Sequence, residues 1–304
     1  MKKALVISGG GSKGAFAGGI AEYLIKQCKK DYDLYVGTST GSLLIPFLAL
    51  GQIEKIKKLY TTIHQGDIFD VCPFIIKKEN GIFKTRINHL GILKQFATNQ
   101  KTLGSSKNLR TLIQTNFLEE DYLQLKKLGK EVIVTVANLT KQVVEYKSSN
   151  NYSYDDFCDW IWASSNMVPL MSLFTKDNED FADGGFGNLI PIQEAIAQGA
   201  TFVDAIVLRM ENRIYNSAPI HNALEALNHT YNFMLNQIAQ DDIIIARMEA
   251  LNHKTDVQFY YIDQILTDQS YIFDAEQMKN WWERGFQLFQ NKPPDTHAVN
   301  MSKP

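Results

Sequence analysis

Twice in its first fifty residues the chain runs from a short apolar segment through a glycine turn into a helix. This rhythm constrains the fold more than any other feature. The first instance is "KALVIS" (Lys3 to Ser8), then "GGGSKG" (Gly9 to Gly14), then the helical pattern "AFAGGIAEYLIKQC". The second is "LYVG", then "GTSTG" (Gly37 to Gly41), then "SLLIPFLALG", apolar nearly all round and therefore expected to be buried. Strand, turn, helix, repeated, predicts an α/β sheet.

Further along, "EVIVTVANL" (Glu131 to Leu139) is the strongest strand signal, and "QVVEYKS" is expected to pair with it across a "TK" turn. "DFCDWIWASSN" reads as a helix ending near Pro169. "DFADGGFGN" is a glycine turn leading to the helix "PIQEAIAQG", and "FVDAIVLRM" is another strand. The segment from Ile53 to about Lys130 is expected to be mainly amphipathic helix with loops. Beyond Met210 the pattern is largely helical, with "MKNWWERGFQLFQ" as the last helix and residues 291–304 as a loose tail. The expected organisation is a core over residues 1–210 and a mainly helical part, 211–290, packed on the same domain.

Composition sets broad limits. With 45% apolar residues the chain can build a large core, and a net charge of −2 gives no global field for nucleic acid. Cys28, Cys72 and Cys158 show neither metal nor disulfide spacing, so a reducing compartment is expected. The apolar run near the N-terminus is too short for a secretion signal, and no stretch of about 18 apolar residues marks a spanning helix. The expectation is a cytoplasmic protein with peripheral membrane contact, export without an N-terminal signal remaining compatible. No cofactor or metal is expected.

The glycine clusters admit several readings. Gly9, Gly11 and Gly14 fit the dinucleotide fingerprint GxGxxG, but Asp31 and Asp33 stand at the start of the next strand, whereas the ribose-binding acid belongs at its end. A phosphate-binding P-loop fails because no GK[ST] closes the run. Gly37 to Gly41 fits the GxSxG nucleophile elbow of α/β-hydrolases, in which flanking glycines let strand and helix approach around a strained serine. In that fold more strands precede the elbow, and a histidine is needed; His221, His229, His253 and His297 sit in no marked turn. A further reading joins three turns. Ser39 supplies a nucleophile, Gly9 to Ser12 supplies backbone N–H groups at a helix N-terminus, and Asp183 supplies a carboxylate. Against these stand bland readings: Ser39 as a helix cap, Asp183 as a turn residue, Trp160 and Trp162 as core. "CPFII" (Cys72 to Ile76) is a candidate lid or acyl-chain surface.

The set "GGGSKG", "GTSTG", "ASSNMVP" (Ala163 to Pro169) and "FADGGFGNLIPIQEAIAQGA" (Phe181 to Ala200), in this order and spacing, resembles the patatin-like phospholipases over roughly residues 3 to 210. The resemblance implies a three-layer α/β fold with a central, mostly parallel sheet and a Ser–Asp dyad without histidine. It implies Ser39 as nucleophile, Asp183 as base, and an oxyanion hole from the N–H groups of Gly10, Gly11 and Ser12. Gly9, Lys13, Gly14, Gly37, Gly41, Gly184 and Gly185 would support these turns. The implied activity is hydrolysis of acyl esters in phospholipids or other lipids. The alternative is a catalytically silent relative that binds lipid or a partner. Ser8, where Asp is common, and Asn166 and Met167, where small residues are common, depart from the family pattern.

Overall fold

A computed structural model of the chain describes residues 1–211, 219–220, 222–290 and 295–297. His221 and most of the 291–304 tail lie outside the described residues.

In chain order the strands and helices are β1 (Lys3–Ile7), α1 (Gly14–Glu22), β2 (Leu34–Thr38), α2 (Thr40–Ala49), α3 (Ile53–Thr62) and α4 (Gln65–Ile68). There follow β3 (Phe74–Glu79), β4 (Ile82–Ile87), α5 (His89–Ala97), α6 (Lys107–Asn116) and α7 (Glu119–Lys127). The middle of the chain forms β5 (Glu131–Asn138), β6 (Val143–Ser148), α8 (Tyr154–Ser164), β7 (Phe174–Lys176), β8 (Glu179–Asp183), α9 (Ile192–Ala197) and β9 (Phe202–Val207). The C-terminal part adds α10 (Ala223–His253), β10 (Asp256–Tyr261), α11 (Ala275–Leu288) and β11 (Asp295–His297).

A nine-stranded sheet runs β11-β10-β9-β1-β2-β5-β8-β7, with β6 also on β5. The contacts among β10, β9, β1, β2 and β5 are all parallel. Alternate residues of β1 enter different cores. Leu5 and Ile7 pack with α1, α2, α3, α8 and α11 on one face, while Ala4 and Val6 pack with α9 and α10 on the other. Such two-sided burial explains why these strands read as continuous apolar runs. The fold is therefore the three-layer α/β architecture expected from the sequence.

Three features depart from the sequence reading. Residues 53–130 are not all helix and loop, because β3 and β4 form a separate antiparallel hairpin. Its turn is Asn80-Gly81, both with positive φ, the residue pair such turns favour. "CPFII" belongs to this hairpin, and Phe74 is buried against Tyr271 rather than against the central sheet. Within the largely helical part beyond Met210 two strands were not expected: β10 joins the central sheet beside β9, and β11 pairs with β10. The sheet thus runs through the boundary at 210. Trp160 and Trp162 are core residues.

Candidate active site

Ser39 follows β2 directly and caps α2 with φ 56° and ψ −123°, a left-handed conformation that non-glycine residues avoid. Close packing enforces the turn. A side-chain carbon on Gly41 would lie 2.2 Å from the Ile7 carbonyl oxygen of β1, and one on Gly37 2.6 Å from the Gly41 carbonyl carbon. Both glycines are therefore required by the approach of α2 to the sheet. The Ser39 N–H donates to Ser164 Oγ at 3.1 Å, and its carbonyl accepts from the Ser42 N–H at 2.9 Å and from Ser165 Oγ at 3.2 Å. The Ser164 hydroxyl in turn donates to the Thr135 carbonyl and lies 2.8 Å from Ser42 Oγ. The "ASS" segment thus braces the elbow, a role that its sequence alone did not reveal.

Asp183 reaches Ser39 through strand register. Along β5, β6 pairs with residues 133–138. Both β2, opposite residues 131–135, and β8, opposite residues 136–138, must then occupy the other edge of β5. β2 stops at Thr38, opposite Thr135; at the next position of β5, Val136 is paired with Asp183. Ser39 and Asp183 thus emerge at consecutive steps of one strand edge. The Asp183 carboxylate accepts from the Gly185 N–H at 2.8 Å and lies beside the Ser39 hydroxyl, which favours its charged form. Burial pushes its pKa up to about 6, the Ser39 hydroxyl and the Gly185 N–H acting in the opposite direction. Gly184 leaves no room for a side chain against the Thr135 carbonyl.

The Gly9–Gly14 turn lies beside them. The Gly9 N–H donates to the Leu189 carbonyl at 3.0 Å. Gly11 has φ +58°, and a side-chain carbon there would meet the Ser270 carbonyl oxygen at 2.2 Å. Among the described residues, the N–H groups of Gly10 and Gly11 have no hydrogen-bond partner, and both residues line the cavity that holds Ser39 and Asp183. Ser12 differs from the sequence expectation. Its N–H donates to the Ser270 carbonyl at 2.8 Å, so it is already engaged in this arrangement. Lys13 Nζ donates to the Leu208 carbonyl at 3.2 Å and ties the turn to the end of β9; the Leu208 N–H donates to Ser8 Oγ at 2.9 Å. Gly14 abuts Thr40, which closes α1 onto α2.

The cavity has a volume of about 490 Å³. Its inner wall is apolar, formed by side chains such as Phe47, Leu109, Ile113, Phe117, Ile161 and Met171. Met167, one of the departures from the family pattern, also lines it, while "CPFII" does not. His229 lines the same cavity, but no described histidine hydrogen-bonds Ser39 or Asp183. His253 is an exposed partner of Glu249, and the side chain of His297 lies outside the described residues.

Two residues of the C-terminal part escaped sequence reasoning. Ser270 holds the glycine turn. Asp242 of α10 accepts both the Leu189 and Ile190 N–H groups, at 2.7 and 2.9 Å, and so fixes the loop that follows Asp183. Burial pushes its pKa up to about 7. Asn188 and Pro191 serve the same loop. The Asn188 carbonyl accepts from Thr38 Oγ1, and Pro191 caps α9.

A three-layer α/β sheet carrying a serine on a strained strand–helix turn, above an apolar cavity, defines an α/β fold with a serine elbow. The chain belongs to the patatin-like phospholipases, whose family model matches residues 5–196. It is 25% identical over 246 residues to uncharacterized protein L620 of Acanthamoeba polyphaga mimivirus, covering 67% of this chain and 66% of that protein. VipD from Legionella pneumophila is similar in structure, with a TM-score of 0.41 and 16% identity, over 95% of this chain and 66% of VipD. The chain thus spans just under two thirds of the length of both.

Proposed function

We propose that this chain hydrolyses acyl esters of phospholipids, lysophospholipids or other lipids through an acyl-enzyme on Ser39. The observation that carries the reading is the buried Asp183 carboxylate beside the Ser39 hydroxyl in one cavity, with no described histidine bonded to either. An aspartate with an ordinary pKa near 4 is a weak base for a hydroxyl. Withdrawal from water raises the basicity of Asp183, and proximity removes the need to recruit a base from solution. Asp183 takes the Ser39 proton as Oγ attacks the ester carbonyl, and passes it to the leaving alcohol as the tetrahedral intermediate collapses. It then takes a proton from water attacking the acyl-enzyme, which releases the fatty acid and returns the proton to Ser39.

The developing oxyanion is assigned to the N–H groups of Gly10 and Gly11. A preorganised donor of this kind contributes about 2.7–4 kcal/mol. The N-terminal end of α2, at Ser39, adds positive potential. The apolar cavity takes the acyl chain.

A fluorophosphonate probe tests this directly. Covalent labelling is expected in the native chain and lost in Ser39→Ala. Asp183→Asn should lose turnover, while His229→Gln should retain it. Folded protein that takes up no label would instead be a lipid- or partner-binding relative without catalysis. Loss of activity in His229→Gln with retention in Asp183→Asn would restore a histidine-based triad.

A further inference from the structure

The β3–β4 hairpin and α5 lie outside the central sheet, and their chemistry differs from the rest of the surface. Alternation along the hairpin places Ile75, Lys77, Glu79, Ile82, Lys84 and Arg86 on an exposed face, while Phe74 turns inward onto Tyr271. On that outer face Ile75 pairs across from Arg86 and Lys77 from Lys84. Like charges directly opposite disfavour a hairpin, and only Lys84 is compensated, by Glu79.

α5 begins two residues after β4. Asn88 fixes its start, accepting from the Gly91 N–H and donating to the Cys72 carbonyl. Leu90, Leu93 and Phe96 form one stripe along this nine-residue helix and are 83%, 64% and 58% exposed. Scattered exposed leucines are ordinary, but a stripe of three large apolar side chains calls for a covering surface.

Charge identifies that surface. Residues 74–101 contain six Lys or Arg and one acid, a formal charge of +5 in a chain whose net charge is −2. Among the described residues, Lys77, Arg86 and Lys94 have no acidic partner. A short helix with an apolar stripe and adjoining basic residues suits the plane of an anionic membrane. The position suits delivery of a lipid as well. Tyr271, packed on Phe74 with ring centroids 4.6 Å apart, lines the Ser39 cavity, and Thr85 hydrogen-bonds Gln269, next to the lining residues Asp268 and Ser270.

We propose that α5 and the outer face of the β3–β4 hairpin dock the protein on an anionic lipid bilayer. Leu90, Leu93 and Phe96 enter the headgroup–acyl boundary, and Lys77, Arg86 and Lys94 meet the phosphate and carboxylate groups. The purpose of docking rests on the hydrolase reading; the binding does not.

The test therefore uses full-length Ser39→Ala protein, which binds without turnover, in co-sedimentation with vesicles. Phosphatidylcholine alone is compared with phosphatidylcholine plus phosphatidylserine at about 0.1 M salt, where charges act over about 10 Å. The anionic vesicles should be bound at least about tenfold more tightly. Each charge removed should weaken binding about fivefold, so Lys77→Gln/Arg86→Gln/Lys94→Gln abolishes most of the preference. Leu90→Ser/Leu93→Ser/Phe96→Ser should release the protein from both vesicle types, with an unchanged circular dichroism spectrum. No preference for anionic vesicles, or wild-type binding by both variants, overturns the proposal. So does a dimer in analytical ultracentrifugation that the α5 variant abolishes while vesicles remain unbound, since the stripe would then serve a second copy of the chain.

Discussion

The Ser270 carbonyl accepts the Ser12 N–H at 2.8 Å and also occupies the space that a side chain on Gly11 would need. A loop from near the C-terminus thus holds the turn assigned to the oxyanion. Gly11→Ala would combine a left-handed backbone with a 2.2 Å clash. The turn must shift, and kcat on a soluble short-chain ester is expected to fall about 100-fold or more. Circular dichroism should show the fold retained.

The raised pKa of Asp183 bears on activity and on stability with opposite pH dependence. Under the proposed chemistry Asp183 must be ionised to act as a base, so kcat/KM should rise with pH through a limb near 6. Its folded pKa lies above the ordinary value of 3.8, so the native state binds the proton more tightly than the unfolded chain does. The stabilisation from protonation is full below pH about 4 and lost as pH rises through 6, up to about 3 kcal/mol. Asp183→Asn should therefore be inactive, yet melt at a higher temperature than the native chain at pH 7.5.

Ser164 bridges the Ser39 N–H, Ser42 and the Thr135 carbonyl. Ser164→Ala leaves a buried N–H and a buried carbonyl short of partners, and should destabilise by about 1–3 kcal/mol in urea unfolding. Because the elbow loosens, kcat should fall about tenfold with little change in KM, a pattern expected when positioning rather than binding is lost.

Asp242 anchors the Leu189 and Ile190 N–H groups from α10. Asp242→Ala should lower both activity and urea midpoint, by about 2–3 kcal/mol in stability, since two buried donors lose their acceptor. Asp242→Asn keeps an acceptor oxygen. It should retain most activity and lose the pH dependence arising from a group that titrates near 7.

Ile113 lines the apolar cavity. Ile113→Trp fills part of it, so kcat/KM for long-chain esters should fall about tenfold or more while short-chain esters are spared. Hydrolysis of an ester series of increasing chain length reads this out.

The parts of the site that sit on glycine turns were legible in the sequence, because close backbone approach leaves few alternatives to glycine. Gly37 and Gly41 were read as elbow glycines for that reason, and their contacts carry it. The hairpin lies in a stretch expected to be helix and loop although Asn80-Gly81 marks its turn; β3, "FIIKKE", shows no apolar–polar alternation to signal a strand. β10 was missed because its "VQFYY" sits among helical patterns and becomes a strand by pairing with β9. Ser164, Asp242 and Ser270 act on segments more than fifty residues away, or across a loop contact, and no local pattern encodes such a partner.

The shared edge of β5 has a consequence for a growing or shortened chain. A fragment that carries the elbow but stops before β8 has its nucleophile in place and no carboxylate beside it. A β8 displaced by a single residue would turn Asp183 to the opposite face of the sheet. Under the proposed chemistry, the assembly of the sheet acts as an interlock, and membrane lipid is safe from the chain until that strand has docked in register.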